Sequence, residues 1–129
     1  LGAGKDVLVI ANTLQTLGAG VTTVAELTER MIKVTDFKTA EDVLDLSAAG
    51  GVALTSEQLS TIAGSADLLA AVTAVDAIVG TGSAVFSFGG DAYVFSSTAA
   101  GLAANDALVQ LVGVDATQFT NIQNGNLVV

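Results

Sequence analysis

Carboxylates are the side chains in this sequence whose number and distribution indicate possible chemistry. The chain has 129 residues, with 13 Asp and Glu against 4 Lys and Arg, and its formal net charge is −9. All the cationic residues lie in the first part of the chain, at Lys5, Arg30, Lys33 and Lys38. Carboxylate oxygens are ligands that Ca²⁺ prefers, so the acidic excess is consistent with cation binding. It is also typical of a surface that keeps a protein soluble, and composition alone favours that interpretation.

The first nine residues contain the most informative spacing. Gly2, Gly4, Asp6 and Leu8 match the pattern G-G-x-G-x-D-x-U-x, in which U is apolar, except that Leu1 replaces the first glycine. This nonapeptide repeats in calcium-binding parallel β-rolls. Its glycines turn the backbone so that carbonyl oxygens face the ion, its aspartate adds a carboxylate, and its apolar residue packs inside. A plain glycine-rich turn explains the same residues, and a roll site needs two adjacent turns.

The residue types on which most hydrolases depend are missing. The sequence has no His and no Cys, which excludes Ser-His and Cys-His catalysis, histidine zinc sites and disulfides. A glycosidase-type carboxylate pair in an aromatic cleft is not indicated, because there is no Trp and 1 Tyr. The acidic chain would repel phosphate, and it has no apolar run of membrane-spanning length. We therefore expect a non-catalytic protein with no nucleic-acid partner and no membrane insertion.

Further aspartates are candidate calcium ligands, each with a structural alternative. Asp36, Asp42 and Asp45 could ligate Ca²⁺ together with nearby carbonyls, or Asp36 could cap a turn while Asp45 faces solvent. Asp106 is either a turn residue or a ligand, and Asp91 is more typical of a turn former. The complete set of candidate metal-binding residues is Gly2, Gly4, Asp6, Asp36, Asp42, Asp45 and Asp106.

Periodicity and capping residues predict a strand-rich chain with short helices. Capping-box spacings at Thr23 with Glu26 and at Thr55 with Gln58 predict two helices, over 22–30 and up to about residue 62. Ser65 is predicted to cap a third helix near residues 66–79, which carries an apolar stripe. Alternating apolar residues predict strands over 31–34, 41–46, 107–112 and 127–129, and a β-hairpin of 84–88 with 92–96.

Three segments follow the first nonapeptide in a family-like order. They are residues 34–47 with TDF and EDVLDLS, residues 88–95 with FGGDAYVF, and residues 105–114 with NDALVQLVGV. Their order and spacing resemble the C-terminal region of RTX (repeats-in-toxin) proteins, bacterial proteins exported by type I secretion. That family includes metalloproteases, lipases, adhesins and surface-layer (S-layer) proteins. The resemblance spans nearly the whole chain, although Asn126 stands where such tails often carry an acid.

The resemblance implies a mainly β fold, in which the end of a parallel β-roll or β-solenoid continues into a capping β-sheet with two or three short α-helices. Residues 1–47 would form the terminal roll turn, and residues 48–129 a helix pair and an antiparallel export tail, as one continuous unit. The expected function is that of a bacterial extracellular structural protein of the S-layer or surface-filament type, self-assembling and stabilised by Ca²⁺. The alternative is the calcium-folding export tail of a larger secreted protease or lipase. Expected partners are further copies of the chain and the type I secretion machinery.

Overall fold

The structure is a computed structural model that describes residues 1–9, 17–18, 20–45, 52–98, 101–102, 106–118, 121–123 and 126–128. Its helices are α1 (Val24–Arg30), α2 (Ser56–Ala63) and α3 (Leu68–Val79), followed later by a 3-10 turn at Ala116–Gln118. Its strands are β1 (Val7–Val9), β2 (Ile32–Val34), β3 (Val43–Asp45), β4 (Gly82–Phe88), β5 (Asp91–Ser97), β6 (Ala107–Leu111), β7 (Asn121–Gln123) and β8 (Asn126–Val128).

The strands form two mixed four-stranded sheets. The first sheet has the order β1-β3-β8-β7, and the second sheet has the order β2-β6-β5-β4. In each sheet one edge pair is parallel, β1 with β3 and β2 with β6, and the other pairs are antiparallel. The protein is therefore a small mixed α/β fold.

The predicted β-roll or β-solenoid is wrong. A roll stacks successive strands in parallel, whereas here β2 leaves to pair with β6, and β3 pairs with the antiparallel β8. The physical reason lies in the apolar helices, since α3 buries residues along its length and needs a sheet face to cover. The antiparallel β4–β5 hairpin supplies that face, so the chain builds helix-on-sheet layers in place of further roll turns.

Helix starts follow the capping residues closely. The capping boxes of Thr23 with Glu26 and of Thr55 with Gln58 are both formed, at the N-termini of α1 and α2. The prediction for α3 was wrong by two positions, because Asp67 and not Ser65 is the N-cap. The Asp67 carboxylate accepts a hydrogen bond of 2.8 Å from the Ala70 N–H, and its charge also suits the positive end of the helix dipole.

The second sheet has apolar side chains on both faces. Successive residues of a strand point to opposite faces, and here both sets include buried apolar residues. On one face Phe86, Tyr93 and Phe95 pack with the helices, and the Phe86 and Tyr93 rings stack with centroids 5.5 Å apart. On the other face Val94 and Val109 belong to a second apolar cluster. That cluster also contains Val34, Phe37, Ala92, Ala107, Leu111, Val114 and Ala116.

The β4–β5 hairpin turns through Gly89 and Gly90, as the sequence predicts. Both residues have positive φ values, 61° and 88°, which glycine adopts without the steric cost of a Cβ atom. Two consecutive positive φ values are typical of the type I′ turn, whose twist matches that of the strands it joins. The turn thereby fixes the pairing of Phe86 with Tyr93 in the core.

Candidate functional site

The candidate site lies where β1 and β3 begin. These strands pair in parallel, with Val7 opposite Val43. Parallel strands start at the same edge of a sheet, so Asp6 and Asp42, which immediately precede them, are brought together. The Val43 N–H donates a hydrogen bond of 2.9 Å to the Asp6 carbonyl, which fixes the two turns against each other.

The Asp42 carboxylate bridges these turns. It is 5% exposed, its Oδ1 accepts a hydrogen bond of 3.1 Å from the Asp6 N–H, and its Oδ2 accepts one of 2.8 Å from the Lys38 N–H. The positive Lys38 side chain points to a different acid, since its Nζ lies 3.3 Å from Glu41 Oε2. Asp42 is therefore held by two backbone donors beside Asp6.

Asp6 supplies the feature that fits a cation. Its Oδ2 is buried and has no hydrogen-bond partner in the described part of the chain. A buried carboxylate oxygen without a partner is costly, and a bound cation would offset that cost. Gly2 and Gly4 line this turn with φ values of 120° and 104°, a backbone conformation that L side chains rarely adopt. A Cβ atom added at Gly2 would lie 3.8 Å from Asp6 Oδ2, so glycine leaves room beside that oxygen.

The donor set at these turns is small. Among the residues that the structure describes, no group of three or more acidic side chains is placed to hold a metal ion. Ca²⁺ takes six to eight oxygen ligands, which include backbone carbonyls and water as well as carboxylates. Asp6 and Asp42 would contribute carboxylate oxygens, and the remaining ligands would have to come from turn carbonyls and solvent.

Asp36 lies next to the same turn but is engaged differently. Its carboxylate accepts hydrogen bonds from the Leu1 amino group and, at 3.3 Å, from the Gly2 N–H. The amino-group hydrogen bond, helped by that group's positive charge and by the Gly2 donor, lowers the pKa of Asp36. Asp36 thus joins the start of the glycine turn to the segment between β2 and β3.

The other two candidates are placed elsewhere. Asp45 is the last residue of β3, with its backbone in register with Val9 and Asn126. Asp106 immediately precedes β6 in the second sheet and is 0% exposed, and its Oδ1 accepts a hydrogen bond of 2.9 Å from the Thr98 N–H. The structure therefore groups Gly2, Gly4, Asp6, Asp36 and Asp42 and separates Asp106 from them.

Two carboxylates accept hydrogen bonds that sequence reasoning did not predict, and one of them, Asp91, was expected as a turn former but is the first residue of β5. Asp76, buried in α3, accepts hydrogen bonds from Ser97 Oγ at 3.3 Å and from the Gly101 N–H at 2.9 Å. Asp91 accepts hydrogen bonds of 2.8 Å from Gln110 Nε2 and from the Gly113 N–H. For Asp91 the sequence signal was its position after Gly89-Gly90, which indicates a turn. For Asp76 the only signal was a charged residue within an otherwise apolar predicted helix.

The fold and these contacts define a small mixed α/β protein whose aspartates fasten turns and loops. No family model matches the chain, and no curated protein matches it significantly. The resemblance to RTX proteins consequently rests on the sequence motifs alone. In the part of the chain that the structure describes, no helix is long and apolar enough to cross a membrane.

Proposed function

We propose that the chain is a calcium-stabilised structural module of a bacterial extracellular assembly, of the S-layer or surface-filament type, exported by type I secretion. The observation that carries this proposal is the pairing of the Asp6 and Asp42 turns at the start of two parallel strands, with Asp6 Oδ2 buried and unpartnered. A calcium site of the nonapeptide type requires two adjacent turns, and this pairing of two turns supports the proposal although the described strands form no continuing roll.

Charge gives the proposed cation a physical role. The chain carries a formal charge of −9, and Asp42, Asp6 and Asp36 lie around one glycine turn. Repulsion among these carboxylates opposes closure of the turn, and a divalent cation would remove that repulsion. A ligand that binds only the folded state stabilises it by mass action, so the module would be most stable where Ca²⁺ is plentiful, outside the cell.

The proposal is for a structural and not a catalytic role. The sequence supplies no His and no Cys, and the carboxylates of Asp76 in α3 and Asp91 in β5 accept hydrogen bonds from loop N–H groups. The proposed Ca²⁺ acts on folding and packing only, and assembly partners are further copies of the chain.

Sedimentation velocity and negative-stain imaging in Ca²⁺ and in EGTA test the proposal. We expect higher-order particles in Ca²⁺ that dissociate in EGTA. Asp6→Asn should abolish the calcium response, because it removes a charged ligand, while the matched change Asp115→Asn on an exposed residue after β6 should preserve it. An identical particle distribution in Ca²⁺ and EGTA for the unmodified protein would contradict the proposal.

A further inference from the structure

We infer that two copies of this chain pack together through the outer face of α3, which consists of Ala70, Thr73, Ala74 and Ala77. The helix contacts both α1 and α2 in the layer that covers the second sheet. The inference names a contact surface for the self-assembly proposed above, and in that respect it rests on the proposed function. The contact itself needs no bound cation.

The solvent side of α3 carries no charge. Of the 12 residues of this helix Asp76 is the only charged one, and it is 6% exposed, with its carboxylate bonded to β5 and to the loop after it. The residues of the outer face are exposed, except for Ala74, which is half-buried. Surface helices normally carry charged side chains on their outer side, and a helix that is apolar all round is normally buried. The composition of α3 is therefore that of a helix that is covered on its outer side too.

Exposed threonines in the three helices keep their hydroxyl groups bonded within the helix. The Oγ1 atoms of Thr28 in α1, Thr61 in α2 and Thr73 in α3 each donate to the carbonyl four residues earlier, at 2.8, 3.0 and 2.7 Å. Burying a polar group is costly when that group has no hydrogen-bond partner. Covering Thr73 therefore leaves no unpaired hydroxyl donor, and its methyl group can contact a partner.

The spacing along the outer face favours a second copy as the partner. Its four residues are spaced symmetrically, with Ala70 and Ala77 at the two ends and the centre of the helix midway between them. When two copies cross in antiparallel fashion about a twofold axis, Ala70 of each copy would face Ala77 of the other, and the two central residues would face each other. Small side chains at all four positions let the helix axes approach to about 8–10 Å. Ile78, which is 37% exposed beside this face, would gain burial at the edge of the contact.

Charge also favours this face for contact between copies. The chain carries a formal charge of −9, so two copies repel each other wherever their exposed acids meet. The exposed acid nearest along the chain to the outer face is the N-cap Asp67, at one end of α3. In an antiparallel crossing the two Asp67 carboxylates lie at opposite ends of a helix pair about 18 Å long, beyond the Debye length of about 8 Å at physiological ionic strength. Contact through this face therefore adds little repulsion.

The contact between copies is small, so we expect it to be weak. A face about 18 Å long and one helix wide buries less than the roughly 1,200 Å² at which standard protein interfaces begin. We therefore expect a dissociation constant between about 10 µM and 1 mM. Contacts of this strength become effective when several of them are linked in one assembly.

Sedimentation equilibrium in EGTA, at protein concentrations up to about 1 mM, tests the inference. The unmodified protein should show a monomer–dimer equilibrium. Ala77→Glu adds a larger, charged side chain to the outer face and should weaken the dimer by at least about tenfold. Ala77→Ser stays small and should keep the dissociation constant within about threefold. Ala53→Glu adds the same charge at an exposed residue before α2 and should leave dimerisation unchanged.

A second substitution on the same face makes the test independent of one variant. Glu is a good helix former, so Ala77→Glu should keep the fold, which far-UV circular dichroism checks. Ala70→Glu should weaken the dimer as much, because the antiparallel crossing makes the two ends of the face equivalent. A monomer at about 1 mM in EGTA would overturn the inference, and so would dimerisation of either glutamate variant at the strength of the unmodified protein.

Added Ca²⁺ distinguishes this inference from the proposed function. If the protein dimerises in EGTA through α3 and forms larger particles in Ca²⁺, both stand. If it dimerises in EGTA and forms nothing larger in Ca²⁺, the calcium proposal fails and the α3 contact stands. If it is a monomer in EGTA and forms particles in Ca²⁺, the calcium proposal stands and the α3 contact fails.

Discussion

The two sheets have a similar pattern of strand pairing and differ in the burial of their described side chains. Each has four strands with one parallel edge pair, yet the second sheet buries side chains on both faces and the first sheet leaves Val7 exposed. Because burial of apolar surface is the dominant favourable contribution to folding, we expect the burial of each side chain, and not strand pairing alone, to set the cost of removing it.

The hydrogen bonding of the carboxylates also differs between the two parts of the protein. Asp76 in α3 and Asp91 in β5 each accept hydrogen bonds at both oxygens from protein donors in strands and loops. At the first sheet Asp6 keeps a buried oxygen without a partner in the described residues. Asp76 and Asp91 thus have protein donors, while Asp6 has a carboxylate oxygen without one among the described residues.

The largest expected effect is in the core of the second sheet. Phe95→Ala removes a side chain that is 0% exposed on β5, and should cost about 3–5 kcal/mol of unfolding free energy. Val7→Ala in the first sheet should cost less than about 0.5 kcal/mol, because that side chain is mostly exposed. Urea denaturation followed by circular dichroism measures both values. Similar costs for the two substitutions would break the comparison between the sheets.

A smaller difference in unfolding free energy is expected between alanine substitutions at two buried serines of the second sheet. Ser97 Oγ donates to the Gly80 carbonyl at 3.0 Å and to Asp76 Oδ1, so Ser97→Ala should cost about 1–2 kcal/mol. Ser83 Oγ is buried and has no hydrogen-bond partner among the described residues, so Ser83→Ala should change stability by less than about 0.5 kcal/mol or raise it. Thermal unfolding of the two variants side by side checks the order. A larger loss for Ser83→Ala would mean that its hydroxyl is bonded after all.

The smallest expected effect is a loss of stability in acid at the capping box of α1, through Glu26. Hydrogen bonds from the Thr22 N–H, above all, and from the Thr23 N–H lower the pKa of Glu26 from its usual 4.5. Because the folded-state pKa is lowered, the stabilisation is fully present above pH 4.5 and is lost as the pH falls through the lower folded value. Carboxyl NMR titration of Glu26, with exchange of the Thr22 amide, measures this. Glu26→Gln should remove that pH dependence, and a Glu26 pKa above 4.5 would contradict the capping geometry.

Local signals in the sequence predicted the elements well. Thr23 with Glu26 and Thr55 with Gln58 placed two helix starts, because a capping box satisfies backbone donors within a few residues. Gly89-Gly90 placed the hairpin, since only glycine tolerates that turn freely. The cap of α3 was misplaced because Ser65 and Asp67 are both good N-caps, and the contact with Ala70 decides between them.

The sequence did not predict which strands, distant along the chain, pair with each other. Nothing near Val43 indicates that β3 lies between the parallel β1 and the antiparallel β8, and no strand was predicted where β7 lies. The glycine turn expected at Gly2 and Gly4 is formed, but the motif led to the prediction of a roll, which the described strands do not build. Its pairing with Asp42 depends on a register that only the folded sheet defines.

An NMR titration with Ca²⁺ tests most directly that the first sheet, and not the second, carries the cation site. Backbone amide shifts of the labelled protein should change in the turn from Gly2 to Leu8 and around Asp36 and Asp42, and should saturate. The amides around Asp76, Asp91 and Asp106 should stay in place, because those carboxylates already have protein donors. Shifts centred on these three aspartates, or no saturable change anywhere, would contradict the account.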